Sequence, residues 1–238
     1  SALFSGGEVI FADIDSSTIN ISIDSIKKAI LENEVHAIAP VHFGGLPCDM
    51  KKIKESVKNA GVKIYEDAAH AFGASYSDGS KVGSCKYSDM TVFSFHPVKS
   101  IATGEGGIIT TNSELIYKQL KRLRNHGLEK NKDNFNSKQN SLTDNLVNPW
   151  YYEMQELGYN YRISDIQCAL GLSQLKKIDR FIKKRKELAK KYDLAFSNLK
   201  NCVPAQKDMR DLSSNHLYIL QINFKKLGKT RANLMNEL

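Results

Sequence analysis

VKIYEDAAHAFGA, residues 62–74, runs from a short apolar segment directly into two carboxylates and a histidine. The apolar half, residues 62–65, reads as a buried β-strand, and the residues after it are polar and glycine-punctuated. In open α/β sheets ligands collect outside the carboxyl ends of strands, so Glu66, Asp67 and His70 fall where a site is expected. Working outward, EVIFA (8–12), HAIAPV (36–41), MTVFSF (90–95) and GIITT (107–111) are further apolar, partly β-branched runs bounded by Gly, Pro, Asp or Asn, and they also read as strands. Between the first three lie two helical patterns. Residues 25–34 set Ile26, Ala29 and Ile30 on one face, and residues 49–59 set Ile53 and Val57 on one face. Alternating strand and helix predicts an α/β fold, with a mixed, mostly parallel sheet covered by helices on both faces. The last two strands stand too close in sequence for a helical crossover and are expected to pair antiparallel or irregularly.

Beyond Ser113, ELIYKQLKRLRNHG predicts a helix ending near Gly127, and residues 130–145 read as a polar loop. A long helix is expected after Ser164 or Asp165, either of which is a suitable N-cap. The chain then breaks near residues 198–204, and HLYILQINF, residues 216–224, reads as a strand opening a second, smaller unit. The expected division is residues 1–198 and residues 199–238.

The 238 residues are 41% hydrophobic and 25% charged, which suits a globular core and excludes disordered and collagen-like classes. The net charge of +8 is densest in KKIDRFIKKRKELAKK, residues 176–191. Leu175, Ile178, Ile182, Leu188 and Tyr192 recur there at near-helical spacing, so the lysines read as the solvated face of a helix and no nucleic-acid partner is inferred. Cys48, Cys85, Cys168 and Cys202 lack the spacing of a zinc site and read as free thiols in a reducing cytoplasm. No metal site is expected. No stretch approaches the ~20 apolar residues that cross a bilayer, so no membrane partner is expected either.

A second stretch supplies the complementary chemistry. In VFSFHPVKSIATGEGG, residues 92–107, Ser94, His96 and Lys99 follow one strand and a glycine turn precedes the next. A lone lysine near glycines is ordinarily a surface lysine, and Asp67 is equally suited to capping the segment after its strand. The pairing of the two is more specific. A lysine that holds pyridoxal phosphate needs a carboxylate at the ring nitrogen, because that carboxylate keeps the nitrogen protonated and the ring an electron sink. An Asp after one strand and a Lys after another, thirty-two positions later, is a workable arrangement for it.

EDAAHAFGASY, DMTVFSFHPVKSIATGEGG, RLRNHG and GYNYRISDIQCALGLSQLKKIDRF resemble, in order and spacing, the DegT/DnrJ/EryC1/StrS family of sugar aminotransferases. The resemblance runs roughly from Phe11 to Phe224. It implies a pyridoxal-phosphate-dependent transferase of fold type I, like aspartate aminotransferase, with a large domain over residues 1–198 and part of a small C-terminal α+β domain over residues 199–238. It implies Lys99 as the Schiff-base lysine and proton shuttle, and Asp67 as the carboxylate under the pyridine nitrogen. His70 matches a residue beside the cofactor ring or its phenolic oxygen, and Ser94 a phosphate-binding hydroxyl. Asn160 matches an amide reaching the partner subunit's cofactor phosphate, and Arg162 a residue facing the nucleotide diphosphate. Read as residues alone, Asn160 and Arg162 equally cap the next helix or pair with Asp165, and His126 equally ends a helix or meets substrate.

The implied reaction moves an amino group from L-glutamate to C4 of a UDP-linked 4-keto-6-deoxy-N-acetyl hexosamine, as in pseudaminic acid formation, in a cytoplasmic homodimer with interface sites. An aminotransferase acting at C3, a sugar dehydratase of the same fold and a non-enzymatic binding protein are the alternatives. The dehydratases carry histidine in place of the lysine, which Lys99 argues against. Family members also carry an earlier segment with a ring-stacking aromatic residue and a Ser-Gly-Thr phosphate turn. Neither is in these 238 residues, so the chain is expected to begin inside the large domain and stop inside the small one.

Overall fold

The computed structural model describes residues 2–238, apart from the side chain of Lys138. The chain forms two compact units, Ser1–Thr110 with Gln167–Leu238, and Thr111–Ile166. Residues 199–238 group with the first of these.

The first unit is built on a four-stranded sheet in the order β1-β2-β3-β4. Its strands are β1 (Ala37–Ile38), β2 (Lys63–Asp67), β3 (Met90–Ser94) and β4 (Gly107–Thr110). β1, β2 and β3 run parallel, and β4 returns antiparallel to β3 with Ser94 opposite Gly107. The mixed, mostly parallel sheet is therefore the expected one, as is the antiparallel last pair. Helix α1 (Ile23–Glu32) starts on Ser22, whose hydroxyl accepts from the Ser25 amide, and α2 (Met50–Ser56) starts on Asp49, which accepts from the Lys52 amide. Each cap satisfies an amide that has no partner within its helix. α1 contributes Ile26 to the core and α2 contributes Met50 and Ile53, which meet Ile38, Val57, Ile64 and Phe93. Full burial of a side chain such as Ile53 contributes about 1.5–3 kcal/mol.

Four expectations are corrected. Residues 8–12 form no strand: Phe11 is 93% exposed, and the nearest pairing is a single bridge between Ile14 and Ile21. A strand needs a neighbour for its amides, and none pairs with these residues among the described ones. The 36–41 strand shortens to Ala37–Ile38 because Pro40 has no amide to donate, although Val41 still bridges Asp67. The long basic helix is two helices, α5 (Asp165–Leu175) and α6 (Ile178–Phe196), parted at Lys176–Lys177. Farther on, the strand expected over residues 216–224 is the shorter β10 (Leu220–Ile222), antiparallel to β9 (Cys202–Pro204). The short helices α7 (Phe224–Leu227) and α8 (Arg231–Glu237) come after it.

The second unit opens with α3 (Glu114–Arg124), capped by Ser113 and ended as expected near Gly127. Gly127 has φ +69°, and its amide donates to the Arg122 carbonyl at 2.9 Å. The polar stretch 130–145 is more ordered than its composition suggests: it holds α4 (Lys138–Ser141) and a hairpin of β6 (Leu142–Thr143) and β7 (Leu146–Val147). Asp144 and Asn145 turn that hairpin with φ of 49° and 64°, the left-handed pair that a tight two-residue turn demands. β5 (Leu128–Glu129) pairs with β8 (Glu153–Met154).

Gly127 is also a close approach. A Cβ there would stand 1.7 Å from the Glu156 carbonyl oxygen, in a backbone conformation that side chains rarely adopt. Gly127→Ala is expected to cost about 3 kcal/mol or more, the sum of left-handed strain and overpacking. Hydrogen exchange localises it: protection should fall across residues 122–158 and persist in β2 and β3.

No helix of the described residues is long and apolar enough to cross a membrane.

Candidate active site

The carboxyl ends of β1, β2 and β3 lie at one end of the sheet because the three strands are parallel. Successive residues of β2 alternate faces, so its last two carboxylates part company. Glu66 enters the core and is fully buried. It takes hydrogen bonds from His42 Nε2 (2.7 Å), Thr91 (2.9 Å), Tyr76 and Ser88. The Cys48 amide donates to His42 Nδ1 at 3.1 Å, which leaves the ring proton on Nε2 for Glu66. Burial pushes the Glu66 carboxyl up, but the hydrogen bonds from His42, Ser88 and Tyr76 outweigh it and hold the group below its ordinary value. Glu66 is thus a satisfied core carboxylate and not part of the site.

Asp67 is half-buried, and its Oδ1 accepts from the Ala69 amide at 3.0 Å. No helix begins here: Asp67 closes a turn, and His70 is held by the Gly44 amide, which donates to its Nδ1 at 3.4 Å, and by Ser214 Oγ, which donates to its carbonyl at 2.6 Å. On β3, Ser94 Oγ accepts from the His96 amide at 3.3 Å. A hydroxyl that accepts there keeps its own proton to donate to an anion.

Lys99 sits in a loop that the sequence closes tightly. Phe95 donates to Gly106 and accepts from Thr103, Thr103 Oγ1 donates to the Glu105 carbonyl at 2.7 Å, and the Lys99 amide donates to the His96 carbonyl at 2.9 Å. Gly104 and Gly106 supply the positive φ of the return, and a Cβ at Gly107 would stand 2.7 Å from the Phe93 carbonyl oxygen. Lys99 is half-buried, between exposed Val98 and buried Ser100.

Electrostatics tie these residues together. Burial and the Lys99 ammonium lower the His70 pKa, and Asp67 opposes them. His216 packs tilted against His70 with ring centroids 4.7 Å apart, and its pKa is pushed down to about 4 by burial, then by His70, Arg185 and Lys99. Asp67, His70, Lys99 and His216 therefore share one neighbourhood. Sequence reading missed His216 and Arg185; the only signal was a histidine leading an apolar run in NHLYIL.

The other three candidates lie in the second unit. Arg162 donates from Nη1 to Asn125 Oδ1 at 2.6 Å, rather than pairing with Asp165. Asn160 is exposed, and its backbone bridges Asn125. His126 adopts φ +59° and donates its amide to the Tyr159 carbonyl at 2.8 Å, while the amides of Asn125 and Gly127 close the end of α3 on the Arg122 carbonyl.

The donor set suits pyridoxal phosphate. It offers a carboxylate for a pyridinium, a primary amine for an aldehyde and a hydroxyl for a phosphate, and it leaves Ser100 Oγ and His216 Nδ1 buried without hydrogen-bond partners beside the lysine and the histidine.

These groups stand at the carboxyl edge of an α/β sheet, and the comparisons place that sheet in a family. The model of the DegT/DnrJ/EryC1/StrS aminotransferase family matches residues 1–238, and the chain belongs to that family. It is 38% identical to the UDP-4-amino-4,6-dideoxy-N-acetyl-beta-L-altrosamine transaminase of Campylobacter jejuni (strain 81-176), over 92% of this chain and 53% of that protein. Among solved structures it resembles Helicobacter pylori PseC, an aminotransferase involved in the biosynthesis of pseudoaminic acid, with TM-score 0.83 and 32% identity over 99% of this chain and 57% of that one. It also resembles the E. coli GDP-4-keto-6-deoxy-D-mannose-3-dehydratase with bound hydrated PLP, with TM-score 0.79 and 30% identity over 97% of this chain and 57% of that one. The chain spans about half the length of the curated relatives it matches.

Proposed function

We propose that these residues belong to a pyridoxal-phosphate-dependent aminotransferase that moves an amino group from L-glutamate to C4 of a UDP-linked 4-keto-6-deoxy-N-acetyl hexosamine. The observation that carries this reading is that Asp67, at the end of β2, and Lys99, in the loop after the adjacent parallel strand β3, act with opposite sign on one imidazole, His70. When bound, the cofactor supplies an electron sink for bond breaking at the amino-bearing carbon. Lys99 Nζ holds the cofactor's aldehyde carbon and carries the proton at that carbon. Asp67 keeps a proton on the ring nitrogen by direct charge stabilisation. Ser94 donates to the phosphate, and His70 donates to an oxygen at the ring edge. Asn160 and Arg162 serve phosphate groups, Asn160 that of the partner's cofactor in a homodimer and Arg162 the nucleotide diphosphate; His126 is a weaker substrate contact. A cytoplasmic setting, and a large domain to residue 198 with a small one from residue 199, complete the reading.

The similarity to the dehydratase makes elimination of a sugar hydroxyl the competing outcome. An absorbance scan of the full-length protein with pyridoxal phosphate, then glutamate, then a panel of UDP-keto-sugars separates them. The expected result is a visible band that glutamate bleaches and one 4-keto sugar restores. No band, or a band that a sugar changes with loss of a hydroxyl group and no amine in the product, overturns the proposal.

A further inference from the structure

His70 is gripped from two sides by segments far apart in sequence. On one side stands the turn His42–Gly45. Its Gly44 amide reaches His70 Nδ1, and the Phe43 ring lies 5.8 Å from the imidazole. On the other side runs the strap Ser213–Leu217, which carries His216 against the His70 ring at an interplanar angle of 37°. Strap and turn are joined directly: the Ser214 amide donates to Gly45 at 3.0 Å and the Leu217 amide to Gly44 at 3.0 Å. A Cβ on Gly45 would stand 2.2 Å from Ser214 Oγ, so the approach requires glycine. From α6, Arg185 donates to the His216 carbonyl at 3.2 Å, which fixes the strap at the residue that packs on His70.

We propose that His216 is a positioning residue for His70: its ring, packed at a tilt against the imidazole, with the Gly44 amide on Nδ1, locks His70 as the neutral Nε2–H tautomer, a single hydrogen-bond donor for an oxygen of the bound ligand. An imidazole that accepts at Nδ1 carries its one proton at Nε2. Protonation at Nδ1 would expel the Gly44 amide. The charged and titratable groups acting on His70 are Lys99 from the loop after β3, Asp67 from the end of β2 and His216 from the strap; Phe43, Gly44 and Gly45 bring none. His216 itself is held neutral, so it adds a ring without adding a cation.

The role in turnover rests on the cofactor reading above, but the tautomer does not. The test is long-range proton–nitrogen correlation of the histidine rings in the full-length holoprotein between about pH 5 and 8, with His70 assigned by His70→Asn. In the parent protein and in His216→Phe, which keeps a packed ring, His70 is expected as the Nε2–H form. In His216→Ala both tautomers appear, the His70 midpoint moves up as burial is relieved, and kcat falls by up to about 100-fold with the KM for nucleotide sugar unchanged. An Nδ1–H form in the parent protein, or unaltered His70 spectra in His216→Ala, overturns the proposal. If His216→Ala fails to fold, loss of the Nε2–H form in His216→Phe overturns it and retention supports it. Absence of the lysine-dependent visible band would sink the cofactor reading and leave this measurement intact.

Discussion

Lys99→Ala is expected to abolish the visible absorbance of the holoprotein and to lower kcat/KM by about 10⁴-fold or more, because the covalent anchor and the proton carrier are lost together. Lys99→Arg separates charge from covalency. Arginine keeps a cation beside His70 and His216 but cannot bond the aldehyde carbon, so it too should be inactive. The two variants differ in the histidines. Lys99 is one of the groups that lower the pKa values of His70 and His216, so Lys99→Ala should raise both while Lys99→Arg leaves both near their parent values. Substantial turnover in either variant, or identical histidine titrations in the two, would contradict the arrangement described.

The second large effect concerns folding. Glu66→Ala strands four donors in the core, from His42, Tyr76, Ser88 and Thr91. The expected cost is about 3–5 kcal/mol, the range for removing one partner of a buried charged network. Glu66→Gln should cost about 1–2 kcal/mol, because the Ser88 and Thr91 hydroxyls can turn to accept from the new amide while the carbonyl retains His42 and Tyr76. Urea unfolding at neutral pH measures both. The pH dependence has a definite sign. The Glu66 carboxyl is lowered from its ordinary 4.5 in the folded protein, so its contribution is complete above that value and disappears as pH falls through the lower folded value. Glu66→Gln should lack that component of acid destabilisation. Equal acid sensitivity in parent and variant would show that Glu66 is not the group responsible.

Much of the fold is legible in the order of residues alone. Short β-branched runs alternating with amphipathic helices specify parallel pairing, since each crossover must return to the same sheet edge. Asp49 and Ser113 stand where the sequence reading begins their helices, whereas α1 begins on Ser22, ahead of the residues 25–34 read as helical, and each caps where its side chain can reach a backbone amide. Residues 8–12 mislead for a definable reason: a strand is a property of two segments, and local composition carries no information on whether a partner exists. The hairpin at residues 142–147 escapes sequence reading because its strands are two residues each, below the length at which alternation can be seen.

The sequence by itself determined the alternation of strand and helix around the parallel sheet, the family resemblance, and the presence of an Asp at the end of one strand with a Ser and a Lys at and after the end of the next. These depend on local periodicity and on residue chemistry at short range. Only the tertiary structure decided that Glu66 and Asp67, adjacent in the chain, divide between core and site, because strand alternation turns them to opposite faces and the core happens to hold four donors on one side. Only the tertiary structure brought His216 to His70 across 145 intervening positions, through hydrogen bonds between strap and turn that leave no pattern in either segment alone.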